Sequence, residues 1–453
     1  MSVPPPPAGR EPVGHRTVLA IALPIVLSNV SEPLISVVDT AIIGRLDAPH
    51  LIGAIALAGI VFAFIYWMFG FLRMGTTGLT AQAFGAGDGR EVLAVLLRVI
   101  VIALTGGALL IVLQWPISLI SFSLTEGSAL VEGAAADYFA WRIWGAPAAL
   151  LNFAILGWFI GLGKARIAFI LQLTLNLTNI ALDALFVLVF DMSVLGVALG
   201  TVIAELVAAL AGAMFVLREL KGMPALPPLR EVLALAAMKR MFGVNRDLMI
   251  RSVFLISAFA VFTSQGAKAG DVTLAANAVL FNFFLVIAYF LDGFAFAAEA
   301  LAGRSIGARD RDAFGRAVFL STYWAVWLSL IAGAIFWLAG TTMIDIMSVN
   351  EEVRASARSY LIWAALTPLT GIACFQLDGI FTGALRTGDM RNMMVLSFAA
   401  YIGLWALLTP LYGNHGLWLA LNGFFVIRGL TLGARYPALV RASFGPKTGA
   451  AAG

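Results

Sequence analysis

Long apolar stretches recur along almost the whole chain, and they constrain its fold more than any other feature. Each can cross the roughly 30 Å of hydrocarbon in a bilayer, where a segment is stable only as a helix that satisfies its own backbone groups. Hydrophobic residues make up 61% of the 453 positions and charged residues 12%, whereas a soluble domain is about a quarter charged. The stretches do not alternate apolar with polar residues, which excludes a membrane β-barrel. The sequence therefore predicts an all-α polytopic membrane protein.

Twelve membrane-spanning helices account for these stretches. We place them at 17–44, 50–72, 91–123, 129–163, 165–190, 194–220, 243–268, 272–302, 312–342, 353–385, 392–412 and 416–440. Cys374 is the single cysteine, so the fold has to hold without an intrachain disulfide. The three histidines show no metal-ligand spacing, and we predict neither a metal nor a cofactor.

Lys and Arg are distributed unevenly between the loops of the two sides. Most of them, Arg73 included, fall in the tails and in the loops after even-numbered helices, whereas the opposite loops carry only Arg45, Lys268, Arg354 and Arg358. Because loops rich in Lys and Arg stay in the cytoplasm, this pattern predicts that both termini are cytoplasmic. We expect a multi-pass protein of the bacterial inner membrane.

A proline-rich basic segment, KGMPALPPLREVLALAAMKR at 221–240, divides the chain into two similar halves. FGAGDGRE at 84–91 matches IGARDRDA at 306–313, and GWFIGLGKAR at 157–166 matches GIFTGALRTG at 379–388, which indicates an internal repeat. Six spans per half give both halves the same orientation, an arrangement found in transporters, and we expect substrate between the two bundles. The predicted organisation is a disordered cytoplasmic tail at 1–15, an N-terminal six-helix lobe at 16–220, a cytoplasmic linker at 221–242, a C-terminal six-helix lobe at 243–441 and a cytoplasmic tail at 442–453.

Several acidic residues fall inside predicted spans, where an ionisable side chain costs about 2.5 to 3.5 kcal/mol and is a functional candidate by default. They are Glu32, Asp39, Asp183, Glu205, Asp292 and Asp378. Asp39 and Asp183 each precede an aspartate of an outer loop by eight residues, which places both about 12 Å below the outer surface. Thr201 falls in the same layer, and Glu205 lies one turn deeper.

Helical spacing surrounds Asp39 and Asp183 with polar residues. One stripe contains Gln172, Asn176, Asn179 and Asp183, and the other contains Ser28, Glu32, Ser36 and Asp39. Each acid could simply hold helices together through a local hydrogen bond. No Lys or Arg lies on either stripe, which favours Asp39 and Asp183 as an ion-coupling pair that loads and releases protons.

Pro24 and three arginines complete the set of candidate residues. Pro24 removes a backbone hydrogen bond from the first helix and predicts a bend, either fixed by packing or responsive to protonation of Asp39. Arg142, Arg251 and Arg428 lie near or inside spans, and the last two are close enough to the cytosolic side to snorkel. The cavity should then be acidic and suited to cationic amphiphiles.

Four runs occur together and in order: LPIVLSNVSEPLISVVDTAIIGRL at 23–46, GFLRMGTTGLTAQAFGAGD at 70–88, NLTNIALDALFV at 176–187 and LDGIFTGALRTGDMRN at 377–392. They resemble the multidrug and toxic compound extrusion (MATE) family and, within it, the DNA-damage-inducible F (DinF) branch. The resemblance covers essentially the whole chain. It implies two six-helix lobes facing across a central cavity, in a proton- or sodium-driven antiporter of organic cations that works by alternating access.

The same resemblance implies roles for single residues. It implicates Asp39 and Asp183 in ion coupling inside the N-terminal lobe, with Asn179 and Thr201 as polar neighbours and Pro24 as the bending proline. The remaining members that we assign to the polar network are Asn176, Asn152, Glu32 and Glu205. For Asp292 and Asp378, a structural role and a second site remain open alternatives.

Three other readings compete with a proton-driven exporter. Sodium could replace the proton, because a cluster of carboxylate, amide and hydroxyl groups serves either ion. A lipid-linked saccharide flippase of the same superfamily would need basic residues facing the cavity, for which Arg142 is the one candidate. A membrane enzyme would need a catalytic cluster on extended loops, and these loops are short. We expect a monomeric transporter rather than an enzyme, with small organic cations and the bilayer as partners and no nucleic acid.

Overall fold

The computed structural model describes residues 13–43, 49–123 and 128–445. Within α1 and at the start of α2 it describes the backbone but not the side chains at 32–37, 39–41, 43 and 49. Helices dominate the described residues. They are α1 (His15–Ile43), α2 (Pro49–Met68), α3 (Phe71–Gly85), α4 (Gly89–Val112), α5 (Gln114–Ser123), α6 (Ala129–Arg142), α7 (Ala146–Gly161), α8 (Ala165–Ala184), α9 (Val194–Leu220), α10 (Leu229–Val232), α11 (Leu235–Lys268), α12 (Asp271–Gly307), α13 (Arg311–Met347), α14 (Glu351–Gly383), α15 (Thr387–Tyr412) and α16 (Asn414–Phe444).

The helices confirm the prediction of an all-α membrane protein. Eleven helical stretches in the described part of the chain are long and apolar enough to cross a bilayer, and the shorter apolar stretch His15–Ser31 of α1 brings the number to twelve. No strand occurs among the described residues. The chain forms two compact units. The described residues of the first are 27–43, 49–83, 88–123 and 128–242, and those of the second are 13–26, Phe84–Gly87 and 243–445.

The spans predicted at 50–72 and 91–123 are each interrupted in the structure. The span predicted at 50–72 breaks after Met68, where Phe69 and Gly70 donate to carbonyls three residues back, and it then continues as α3 to Gly85. The placement of Arg73 in a loop was therefore wrong, because Arg73 lies inside α3. The span predicted at 91–123 is divided at Leu113 into α4 and α5.

The segment predicted as a linker packs against α4 of the first unit. Arg98 is buried and donates from Nε to the carbonyl of Val232, 2.8 Å away, and Val232 itself is fully buried in α10. Arg98 is also paired with Glu91 at 2.7 Å, and Arg90 with Glu231 at 3.0 Å. The middle of this segment, at Glu231 and Val232, is therefore held by side chains of α4.

Close backbone packing in the first unit depends on two glycines of α7. A Cβ atom at Gly157 would meet the carbonyl oxygen of Arg73 in α3, and one at Gly161 would lie 2.7 Å from the carbonyl oxygen of Thr77. Thr77 also donates from Oγ1 to the carbonyl of Gly157, 3.1 Å away. Small residues four apart allow two membrane helices to approach this closely.

The same packing recurs in the second unit between α14 and α12. A Cβ atom at Gly379 would meet the carbonyl oxygen of Ala295, and one at Gly383 would meet that of Glu299. Each of these four positions is 222 higher than its counterpart in the first unit, which is the offset of the sequence repeat. The repeat is thus visible in the contacts as well as in the sequence.

Candidate functional site

A buried hydrogen-bonded cluster joins α8 and α9 in the first unit. Asn179 donates from Nδ2 to Oδ2 of Asp183, 2.9 Å away on the same helix, and to Oγ1 of Thr201 on α9, 3.1 Å away. Thr201 in turn donates to the carbonyl of Val197 at 2.8 Å. Asp183 and Asn179 are both 0% exposed. The structure therefore brings together Asp183, Asn179 and Thr201, which we call the acid cluster.

Gly200 allows α9 to approach the acid cluster closely. A Cβ atom at this position would collide with Oδ1 of Asp183 and would lie 3.2 Å from the backbone nitrogen of the same residue. On α8, the helix opens into a π-helical turn at Leu185–Val189 directly after this region. Such turns are frequent at functional sites. Gly200 was not among the residues predicted from the sequence, although its position beside Thr201 was a usable signal.

The polar stripe of α8 reaches α1 through a second set of hydrogen bonds. Gln172 donates to Oδ1 of Asn176 at 3.0 Å, and Asn176 donates from Nδ2 to Oγ of Ser31 at 2.7 Å. Asn176 is buried at 3% exposure. The predicted site residues Glu32 and Asp39 lie on α1, and their side chains fall outside the described residues. The structure thus places α1 beside the stripe at Ser31.

Glu205 and Asn152 belong to a different buried group in the same unit. Both oxygens of Glu205 accept from Arg142, at 2.7 and 3.0 Å, and Arg142 also donates to the hydroxyl of Tyr66 at 3.2 Å. Asn152 donates to the backbone carbonyl of Glu205 at 3.0 Å. Gly145 leaves room for this pair, because a Cβ atom there would meet a carboxylate oxygen of Glu205.

Glu205 was predicted as a member of the polar network, one turn from Thr201 on α9, and the structure adds a partner from a neighbouring helix. Its carboxylate is bound by a bidentate arginine on α6, the strong form of this interaction. The guanidinium of Arg142 therefore binds Glu205 and Tyr66 and is not part of the acid cluster.

A third charged group is buried in the second unit. Asp378 on α14 is ion-paired through one oxygen with both Arg251 on α11 and Arg428 on α16. The exposed fractions are 5% for Asp378, 7% for Arg251 and 2% for Arg428. The interpretation of the two arginines as snorkelling residues was therefore wrong, since a buried carboxylate draws both of them inward. Asp292 lies near enough to Arg428 to interact with it electrostatically.

Pro24 lies inside α1, where α12 makes a close approach. A Cβ atom at Gly293 of α12 would lie 3.2 Å from the carbonyl oxygen of Ala22 and 3.1 Å from the backbone nitrogen of Val26. These two atoms flank Pro24, which has no N–H to donate to the preceding turn.

Among the described residues no group of three or more His, Cys, Asp or Glu side chains could hold a metal ion.

Comparison with known proteins assigns the family. The MatE family model matches residues 24–185 and 248–411. The chain is 38% identical over 414 residues to DNA damage-inducible protein F of Escherichia coli, covering 91% of this chain and 90% of the relative. It is 27% identical to the probable multidrug resistance protein NorM of Deinococcus radiodurans, covering 93% and 94%.

Solved structures agree with this assignment at the level of the fold. A MATE transporter crystallised in a bent conformation superposes with a TM-score of 0.84 at 20% identity, covering 94% of this chain and 96% of that one. Together with the twelve helices and the internal repeat, these matches identify the architecture. The chain belongs to the MatE family of multidrug efflux transporters, in its DNA-damage-inducible F branch, and is a multi-pass protein of the bacterial inner membrane.

Proposed function

We propose that the protein is a secondary active antiporter that exports cationic amphiphilic organic compounds in exchange for H⁺ by alternating access. The observation that carries the proposal is the acid cluster, in which Asp183 is enclosed in the membrane-spanning part of the first unit and receives a hydrogen bond from the neutral amide of Asn179. An ionisable group at such depth is costly and marks an ion pathway by default.

The distribution of charge in the first unit supports a proton as the coupling ion. Arg142 is held by Glu205 and Tyr66, so this guanidinium is not the counter-ion of Asp183. Within the acid cluster the donor to Asp183 is the neutral amide of Asn179, and a buried carboxylate can lose its charge by taking up a proton. Uptake of one proton would then remove the charge of the acid cluster and change the helix arrangement that it favours.

Asp39 is the proposed second coupling acid. It follows Ser31 by eight residues on α1, a rise of about 12 Å along the helix axis. Ser31 is hydrogen-bonded to Asn176 of α8, so α1 and α8 are already tied to each other at that level. Protonation of Asp39 and Asp183 would change the electrostatic interaction between these two helices. The missing hydrogen bond at Pro24 would allow α1 to bend in response.

Cationic substrates fit the charges better than anionic ones do. The four arginines that are buried in the described part of the chain are all paired with acids: Arg98 with Glu91, Arg142 with Glu205, and Arg251 and Arg428 with Asp378. An anionic lipid-linked saccharide would need basic groups that are available to it. The Deinococcus radiodurans relative is named a multidrug resistance protein, which also favours an exporter of diverse compounds. The positive-inside pattern supports cytoplasmic termini.

Transport in proteoliposomes tests the proposal. The purified chain, with Asp39→Asn, Asp183→Asn and Asp247→Asn variants, is reconstituted, and ethidium transport is followed under an imposed pH difference with and without sodium. Asp247 is a matched control, because its carboxylate pairs with Arg391 at 2.7 Å in the second unit, away from the acid cluster. We expect sodium-independent transport by the parent and by Asp247→Asn, and none by the other two variants.

Two results would contradict the proposal in different ways. Transport that requires a sodium gradient and ignores the pH difference would replace the proton by sodium, which a carboxylate, amide and hydroxyl cluster could also bind. Full transport by Asp183→Asn would remove the acid cluster from the coupling mechanism.

A further inference from the structure

The repeat relates α8, which carries the acid cluster, to α15 of the second unit. The two helices begin at Ala165 and Thr387, and these positions are separated by the same offset of 222 as the glycine contacts. The residues that precede them, Lys164 and Arg386, have nearly identical backbone angles, with φ −94° and ψ 49° in the first and φ −91° and ψ 46° in the second. Positions on α15 can therefore be compared directly with those on α8.

The polar stripe of α8 has an apolar and mostly aromatic counterpart. In place of Gln172, Asn176, Asn179 and Asp183, α15 carries Met394, Phe398, Tyr401 and Trp405. We call these four residues of α15 the aromatic face. The same helix position thus bears ion-binding chemistry in one half of the protein and chemistry suited to an organic molecule in the other.

The aromatic face contains two polar groups that lack a partner. Among the described residues, neither the hydroxyl of Tyr401 nor Nε1 of Trp405 makes a hydrogen bond, and both atoms are buried. The Tyr401 side chain is 0% exposed. Buried donors are almost always paired, because leaving one unpaired costs free energy. Two unpaired donors one helical turn apart point to an acceptor that binds between them.

The ring of Tyr401 lies among other aromatic rings. The ring centroid of Tyr401 lies 5.6 Å from that of Phe424 and 6.4 Å from that of Phe398. Phe398 in turn lies 5.4 Å from Phe254 of α11, and Met394 is buried. Ring faces attract organic cations, and methionine adapts its shape to different apolar bodies.

Simple packing explains this face poorly. If this face only filled the core, Phe and Leu would serve better, because they have no polar side-chain atoms that need a hydrogen-bond partner. A face in contact with lipid would be exposed, as Tyr412 is at the end of the same helix, with 61% exposure. Tyr401 is instead buried with its hydroxyl unpaired.

We propose that the aromatic face binds the exported substrate, an apolar organic cation that also carries a hydrogen-bond acceptor. The ring faces and Met394 contact the body of the cation, and the O–H of Tyr401 and the N–H of Trp405 donate to the acceptor atom. Both donors are covered in this conformation, so the substrate has to part the rings to reach them. The inference rests on the proposed export of organic cations. It assigns ion coupling to the first half of the repeat and substrate binding to the second half.

Binding measurements on the purified full chain in detergent, at one pH and without a gradient, test the inference. The probes are rhodamine 6G, a cation with an ester carbonyl, and tetraphenylphosphonium, a cation without an acceptor that is measured by competition. The variants Tyr401→Phe and Trp405→Phe keep a ring and lose a donor. Tyr412→Phe makes the same change on an exposed residue of the same helix, and Trp327→Phe makes it on a residue of α13 that is 49% exposed.

We expect Tyr401→Phe and Trp405→Phe each to raise the Kd for rhodamine 6G about three- to tenfold, the size of one lost hydrogen bond, and to change the Kd for tetraphenylphosphonium less than about twofold. Thermal stability of Tyr401→Phe should be equal to or above that of the parent, because an unpaired hydroxyl is removed. The inference is overturned if the Kd for rhodamine 6G stays within about twofold of the parent value in both Tyr401→Phe and Trp405→Phe. It is also overturned if Tyr412→Phe weakens rhodamine 6G binding as much as these two variants do.

The two proposals can fail separately. The binding measurements use no gradient and only chains that keep Asp183, so a negative result here leaves the proton-coupling proposal intact. Transport that survives Asp183→Asn would reject the coupling proposal while the dye affinities of the Tyr401 and Trp405 variants still report on the aromatic face.

Discussion

Replacing Thr201 by valine removes one hydroxyl from the acid cluster and keeps the shape of the side chain. In the structure this hydroxyl accepts from Asn179 at 3.1 Å, and Asn179 donates to Asp183 at 2.9 Å. Without the Thr201 acceptor, Asn179 is held less firmly as the donor to the carboxylate. The acid cluster should then hold Asp183 less firmly in the arrangement that supports coupling, and transport should slow.

The size of the effect follows from the value of one hydrogen bond. A buried hydrogen bond contributes about 0.5–1.5 kcal/mol, and about 1.4 kcal/mol corresponds to a tenfold change in rate, so transport should fall by about two- to twelvefold. Because Thr201 acts through Asn179, we expect the lower half of this range. The assay is the initial rate of ethidium transport in proteoliposomes under a constant pH difference across the membrane.

Thr174→Val on α8 is the matched control. Its hydroxyl donates to the carbonyl of Ile170 at 2.8 Å, the kind of bond that Thr201 makes with Val197 at the same distance. We expect this variant to keep the transport rate of the parent. A Thr201→Val rate within about 1.3-fold of the parent rate would refute the reasoning from the hydrogen-bonded cluster, as would an equal loss in Thr174→Val.

Two further substitutions give distinct outcomes. Gly200→Ala should reduce ethidium transport at least about tenfold while the protein still inserts, because the new methyl group would occupy the place of a carboxylate oxygen of Asp183. Gly59→Ala is the control: its methyl group would meet nothing within 4 Å, so this variant should transport normally. Asp378→Asn should lower the free energy of unfolding in detergent by about 3–5 kcal/mol, because it leaves the buried Arg251 and Arg428 without their carboxylate. The triple variant Arg251→Met, Asp378→Leu and Arg428→Met should recover most of that loss.

Each of these expectations has a clear contrary result. Undiminished transport by Gly200→Ala would mean that α8 and α9 do not need their close approach at Asp183. An Asp378→Asn variant as stable as the parent would mean that the two arginines find other partners. Failure of the triple variant to recover stability, with Asp378→Asn impaired, would assign the three residues a role beyond neutralising one another.

The helices and the acid cluster were predictable because both depend on spacing along one helix. Apolar length sets the number of spans, and the i, i+4 relation between Asn179 and Asp183 becomes a hydrogen bond as soon as α8 forms. Thr201 was placed at the right level because a short connection, Phe190 to Ser193, returns the chain from α8 to α9. Local geometry was enough in these cases.

Pairing between distant helices was not predictable in the same way. Arg142 and Glu205 are 63 residues apart, and Arg251 and Asp378 are 127 apart, so their contacts depend on which helix faces meet. Depth alone could not show that Glu205 has a partner. The aromatic face of α15 did have a sequence signal, since the offset of 222 that links the two halves also aligns Asp183 with Trp405.

Proton movement driven by substrate tests the central claim most directly. Proteoliposomes that hold ethidium on the inside only, in sodium-free buffer with equal pH on both sides, should acidify internally as ethidium leaves, when a trapped pH dye is followed. We predict acidification with the parent and with Asp247→Asn, and none with Asp183→Asn. Ethidium efflux by the parent without internal acidification, or acidification that persists in Asp183→Asn, would contradict proton exchange at the acid cluster.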